Sequence, residues 1–326
     1  MTAVGPRPAA WLVIVTTATI AVLLRLVLGA RGWSWPTSEI ADLRVGAIVS
    51  ATVAGASLGL SGVLLQALLR NPLASPFVLG LSSGAGLAVS IAALVASSGA
   101  AWVIADGGMV AASVGSAVAL IVVVAAGRRH GAIEPVTLLL AGVVVASVAG
   151  ALTVLVQYLM PPSSRGDLMV WSMGRIPELP ERVPLVVGGV LLVSIGCWSI
   201  LRARWLDAAC TADDEASSLG VDLPALRWRL VVLSGALAGS SVVLCGPIAF
   251  VGFVAPHVAR LMLGAGHRGL VVASPILGAA LLIAADALRL AVPLPGTGKV
   301  PVAVVTAILG GPIFLWVLRR QGGRGS

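Results

Sequence analysis

The sequence predicts an all-α polytopic membrane protein with about ten transmembrane helices. Three observations carry this expectation. The 326 residues are 58% hydrophobic and only 10% charged, against about 45–50% and about 25% in soluble domains. The mean hydropathy is +1.05, so too little polar surface is available to face water and the bilayer must act as solvent. The apolar residues come in long runs without period-two alternation. That pattern favours helices over a barrel, because in lipid every backbone polar group must pair within its own segment or around a closed sheet.

A span takes about 20 apolar residues. Candidate spans cover 9–28, 45–69, 81–95, 108–126, 136–159, 183–200, 228–244, 248–263, 270–291 and 300–318, the third and eighth being short. The first follows Arg7 and resembles a signal peptide, but no cleavage site follows and the rest of the chain is as apolar, so it reads as a span. An even number of spans puts both termini on one side. With that side cytoplasmic, Arg128, Arg129, Arg202, Arg204, Arg227 and Arg229 all lie inside, the bias expected of basic residues in short loops. The net charge of +8 is therefore a topology signal. With no basic stripe carrying interleaved aromatics, nucleic acid is not an expected partner. Cys197, Cys210 and Cys245 match no metal or haem spacing.

The whole chain, 1–326, reads as one transmembrane domain. Its longest polar segment between spans, 202–229, falls inside and holds Asp207, Asp213, Asp214, Glu215 and Asp222, with Gly220 and Pro224 as breakers. Residues 213–218 read as a short helix with acids in its first turn. This segment has the length to form a docking platform. Outside, 161–184 carries Trp171, Arg175, Pro177 and Pro180 and reads as an interfacial helix followed by a rigid turn. Gly55-Ala-Ser-Leu-Gly59 and Gly235-Ala-Leu-Ala-Gly239 each precede a proline-containing interruption, and the two copies would run in opposite orientations. That is a candidate inverted repeat, common in transporters. Many of the 39 glycines recur at four-residue spacing and read as close-packing helix faces.

Several strings imitate catalytic motifs. Gly264-Ala-Gly266-His-Arg-Gly269 fits a dinucleotide fingerprint but lies in a turn between spans, without the strand that fingerprint needs. Gly296-Thr-Gly298-Lys299 resembles the tail of a phosphate loop, but Pro293 and Val300 occupy positions that require glycine and a hydroxyl residue. Gly80-Leu-Ser82-Ser-Gly84 and Gly59-Leu-Ser61-Gly62 resemble serine-nucleophile motifs. A serine nucleophile needs a base within hydrogen-bond reach, and His130, His257 and His267 all sit at cytoplasmic span ends. A rhomboid-like intramembrane serine protease would need His257 to face Ser61; it is the alternative in the enzyme class, and a secondary transporter is the alternative among carriers. Asp286 and Arg289, three residues apart near the outer end of the ninth span, can pair on one helix face.

Residues 55–86 read GASLGLSGVLLQALLRNPLASPFVLGLSSGAG, 246–260 read GPIAFVGFVAPHVAR, and 305–314 carry Val-Thr-Ala followed by Gly-Pro-Ile-Phe. Together these blocks resemble the FecCD family, permeases of ABC importers for siderophores, haem and cobalamin. The resemblance covers the chain from about residue 44 onward. It implies that the chain does no covalent chemistry, binds no cofactor or metal of its own, and leaves ATP to a partner. The implied partners are a second permease chain (identical or paralogous), a dimer of cytoplasmic ATPases, an external substrate-binding protein and a metal-chelate cargo, at the bacterial cytoplasmic membrane with both termini inside. Gln66, Arg70, Asn71, Pro72, Pro256, His257 and Arg260 match the family's structural motifs. Asp213, Asp214, Glu215, Ala216, Leu219 and Gly220 match its ATPase-coupling segment, although the acids replace a more usual Gly-Glu start. Arg44, Arg289 and Lys299 would form a basic outer rim for the binding protein; Lys299 stands near a position where the family usually has glutamate.

Overall fold

The computed structural model describes residues 8–29, 32–97, 107–129, 132–291 and 300–322. The apolar runs become helices α1 (Pro8–Val27), α2 (Ser38–Leu69), α3 (Leu81–Ser97), α4 (Gly107–Ala126), α5 (Pro135–Leu159), α7 (Arg182–Leu201), α10 (Leu223–Cys245), α11 (Val251–Leu263), α12 (His267–Ala291) and α13 (Val302–Gly322). Three shorter helices lie between spans: α6 (Pro162–Ser172), α8 (Ala203–Ala209) and α9 (Asp213–Ser218). Seven helices, namely α1, α2, α4, α5, α7, α10 and α12, are long and apolar enough to cross a membrane, while α3, α11 and α13 are shorter apolar helices. Two antiparallel hairpins depart from the all-helical expectation: β1 (Leu28–Gly29) with β2 (Gly32–Trp33), and β3 (Arg128–Arg129) with β4 (Ala132–Ile133).

Helix α2 is the axis of the bundle. Of its apolar window 78% is buried, against 11% for α5, and it packs on α12, α10, α11 and α7. Small residues make this possible. A side chain at Gly55 would meet the backbone of Gly278 on α12, and one at Gly278 would meet the backbone of Gly55. One turn on, Gly59 faces the carbonyl of Ser274, and Gly62 faces the carbonyl of Gly252 and the ring of Pro256 on α11. Pro256 thus owes its place to the bare face of α2. Across α10, the Ser61 hydroxyl donates to the Ser234 carbonyl at 2.7 Å and the Ser234 hydroxyl donates to the Ser61 carbonyl at 3.1 Å. This reciprocal exchange ties α2 to α10. Each of these two helices is followed by a non-helical break and a shorter helix: a 3₁₀ turn (Pro76–Leu79) then α3, and residues 246–250 then α11.

Two boundaries differ from expectation. Helix α2 begins at Ser38, so Arg44 lies inside it rather than ahead of it. Helix α11 begins at Val251, because Gly246 takes a positive φ of 73° and Pro247 cannot donate to a helical ladder.

One charge cluster centres on a fully buried carboxylate. Arg25 of α1 (2% exposed) donates its Nε hydrogen to Asp286 of α12 (0% exposed). Arg289 donates to the other carboxylate oxygen at 2.5 Å, and Glu178 stands 4.0 Å from Arg25. Two cations around one buried anion satisfy it from both sides, joining α1 to α12. Removing one member of a buried pair costs about 3–5 kcal/mol because its partner is left uncompensated. Asp286→Ala is therefore expected to lower the melting temperature in detergent far more than Asp214→Ala at the exposed surface, which thermal unfolding of the two purified variants checks.

Candidate functional site

Helices α8 and α9 form a platform at the end of α7 opposite α6. Its folding is local. Acids at Asp213, Asp214 and Glu215 occupy the first turn of α9, where they complement the helix dipole. The helix closes when the Val221 N–H reaches back to the Ala216 carbonyl at 3.3 Å, with Gly220 at a φ of 76°; glycine takes that left-handed turn without strain. Asp222 then caps α10, its carboxylate accepting the Ala225 N–H at 3.1 Å, and Pro224 sits in the first turn. Leu206, Ala216 and Leu223 bury one face of the platform in the main core. Asp214, Glu215 and Leu219 stay exposed, Leu219 at 66%.

The family-like residues of α2 meet this platform through Arg70, and those of α11 join them through Gln66. Arg70 ends α2 in the left-handed conformation, and the Asn71 N–H closes on the Gln66 carbonyl at 3.2 Å. Pro72 follows, and the Asn71 side chain accepts the Leu73 N–H at 2.9 Å to hold the turn. From this corner Arg70 donates to the Ala209 carbonyl at 2.7 Å and to Asp213 at 2.5 Å. Arg227 of α10 grips the same carboxylate at 2.8 Å. Gln66 donates to the Ala74 carbonyl at 3.2 Å and accepts from Arg260 of α11 at 3.0 Å. His257 stacks on Phe253, with centroids 5.9 Å apart. At the far edge of the platform, Asp207 accepts the His267 N–H at 2.9 Å and faces its Nδ1 at 2.7 Å.

Burial alone would raise the Asp213 and Asp207 carboxyls. Hydrogen bonds and charge from Arg70 and Arg227 outweigh it for Asp213, and those from His267 outweigh it for Asp207, so both are held below the ordinary carboxylate value. The chemistry of this site is mechanical. Ser61 directs its hydroxyl at Ser234, not at an imidazole, so the protease alternative lacks its nucleophile–base pair. Among the described residues, no group of three or more His, Cys, Asp and Glu is placed to hold a metal ion.

At the opposite end, Arg44 is not on an open rim. It is 5% exposed: one guanidinium nitrogen donates to the Leu26 carbonyl and to the Ser34 carbonyl at 2.7 Å, which pins the β1–β2 hairpin. Arg289 is 11% exposed and engaged by Asp286. Lys299 and His130 lie outside the described residues. Sequence reasoning missed Arg25, Arg227 and the Asp207–His267 pair. Arg25 alone carried a signal, as a charge inside an apolar run.

A polytopic helical bundle with a small-helix platform at one end is the architecture of a membrane permease. The FecCD transport family model matches residues 9–320, and the chain belongs to that family: it is the permease subunit of an ABC importer. HmuU of Yersinia pestis, a hemin transport system permease, is 35% identical over 86% of this chain and 83% of its own length. BtuC of Vibrio cholerae, a vitamin B12 import permease, is 36% identical over 88% and 86%. FecC of Escherichia coli, from an Fe(3+) dicitrate transport system, is 33% identical over 91% and 88%. A solved structure described as an inward-facing metal-chelate type ABC transporter matches with a TM-score of 0.83, covering 96% of this chain and 99% of that one; at 24% identity this likeness speaks for the fold.

A carboxyl with a depressed pKa contributes above its unfolded value of about 3.9, and the contribution is lost as pH falls through the lower folded value. The α8–α9 platform is therefore expected to stay anchored at neutral pH and to loosen only below about pH 4. Amide hydrogen exchange across 207–220 should rise there before that of α2. Asp213→Asn should raise it already at pH 7, modestly, since the carboxyl is 53% exposed.

Proposed function

We propose that this permease imports a bulky metal chelate, that α8–α9 is the seat of its ATPase, and that the α6 end receives an external binding protein. The single observation that carries the proposal is the platform: Asp214, Glu215 and Leu219 are exposed above an inner face fastened by Arg70, Arg227 and His267. Such an element is shaped to be pushed from the water side while its ties carry the displacement into α2 and α10. The named relatives serve hemin, vitamin B12 and Fe(3+) dicitrate, three metal-bearing chelates, which supports a cargo of that class here.

In this reading two copies of the permease, or this chain and a paralogue, enclose the path. Two ATPases close on ATP below the Asp213–Gly220 segment, and both chain termini lie on that cytoplasmic side. Differential contacts with ATPase and binding protein shift the pair between inward-open and outward-open packings. On the outer face the hairpin held by Arg44 forms the receiving surface, with Lys299 as its expected basic contact and Arg289 supporting it from its tie to Asp286. Arg44 then acts through the backbone it positions rather than by direct contact.

Leu219→Asp places a charge on the exposed contact without touching the core. In proteoliposomes holding the full complex, it is expected to reduce ATP-dependent chelate uptake by about tenfold, a loss of about 1.4 kcal/mol in coupling, while the chain remains in the membrane. Uptake driven by a proton gradient without ATP would instead establish a secondary transporter. Unchanged ATP-dependent uptake in the variant would place the coupling surface elsewhere.

A further inference from the structure

Two adjoining cavities on the flank of the bundle take no part in the reading above. The larger, about 610 Å³, lies between α4 and α7, with α10 as its floor. Its floor on α10 carries the small residues Ala236, Gly239 and Ser240, while the space beside Gly235 is filled by Leu120 of α4. Both walls belong to helices with exposed apolar faces, including Val114 and Ile121 on α4 and Val186 and Val190 on α7. The groove therefore opens toward hydrocarbon rather than water, and its volume falls in the range of about 300–1,000 Å³ common to small-molecule sites. The smaller cavity, about 270 Å³, continues it at the α6 end and shares Met109, Glu181 and Val243 with it. This second chamber is mixed: two charged residues, Arg175 and Glu181, both exposed, line it from the segment between α6 and α7 among apolar neighbours.

An apolar channel that opens to lipid and ends beside one cation and one anion has the pattern of a zwitterionic phospholipid. We propose that the composite site binds one phospholipid with an amine headgroup, of the phosphatidylethanolamine type. One of its two acyl chains lies in the groove over α10, its phosphate meets Arg175, and its ammonium meets Glu181. The apolar part of the site is selective for a chain and the polar part for a head. An anionic head without an amine, such as phosphatidylglycerol, would satisfy Arg175 but leave the Glu181 carboxylate facing a like charge. A partner helix is disfavoured: small residues do seat helices in lipid, but Arg175 and Glu181 at the end of the groove would meet no counterpart on an apolar helix.

The test is native mass spectrometry of the full-length chain, purified, delipidated and offered equal amounts of dioleoyl-phosphatidylethanolamine and dioleoyl-phosphatidylglycerol. The ethanolamine lipid is expected to form the more persistent single adduct. Ala117→Trp projects a ring from an exposed position into the groove, and should reduce both adducts by about tenfold without lowering the lipid-free melting temperature. Glu181→Lys should reverse the preference toward the glycerol lipid. Equal binding of the two lipids by the unaltered chain would overturn the headgroup assignment. Adducts that survive Ala117→Trp would overturn the groove, as would a variant that changes only the proportion of permease dimer, which would mark a protein interface instead.

Discussion

The near contact of α2 with α12, α10 and α11 is the constraint on which the rest of the structure depends. Between helices in lipid no hydrophobic drive operates, since lipid tails are as apolar as leucine; association rests on close backbone approach and interhelical hydrogen bonds. Gly55 against Gly278, Gly59 against Ser274 and Gly62 against Gly252 supply the first, and the Ser61–Ser234 exchange supplies the second. Once α2 is enclosed in this way, the outer helices need only be apolar, which is why α1, α5 and α7 carry so many exposed valines and leucines.

The two ends of the bundle use charge differently. The Arg25–Asp286–Arg289 cluster is sealed from water, where an ion pair is tolerable only when complete. The Arg70–Asp213–Arg227 and Asp207–His267 ties are part-exposed, where each contributes little energy and mostly geometry. With its inner face in the core through Leu206 and Ala216, the platform moves with the helices it is fastened to. The buried cluster joins α1 and α12 more firmly still.

Much of this was legible in the sequence, and for identifiable reasons. Long apolar runs marked every spanning helix, and acids followed by Gly220 marked α9. The Gln66–Pro72 and Pro256–Arg260 blocks were recognisable, and their physical sense appears once Gln66 is seen to bridge Ala74 and Arg260. What stayed hidden depended on long-range pairing. Arg25 finds Asp286 across 261 positions, and no local pattern announces such a partner. Arg44 misled for a related reason: a basic residue at the edge of an apolar run resembles an exposed anchor, whereas here the helix starts earlier and folds the guanidinium inward onto the hairpin. The hairpins themselves are two-residue ladders, too short to leave an alternating signature.

Helix α2 runs unbroken through 32 residues, about 48 Å at 1.5 Å per residue. Its waist, near Gly55–Gly62, falls about midway between Arg44 and Arg70. At one tip Arg70 clasps the Asp213 carboxylate; near the other, Arg44 holds the hairpin between α1 and α2. A rod enclosed along most of its length does not rock alone, so whatever displaces one tip carries α2 together with the helices packed on it. A shift of about 1–2 Å, the scale of helix movements in switching proteins, then reaches the other surface as a movement of that whole group. The glycines that set how close the helices come therefore also set which helices travel together across the membrane.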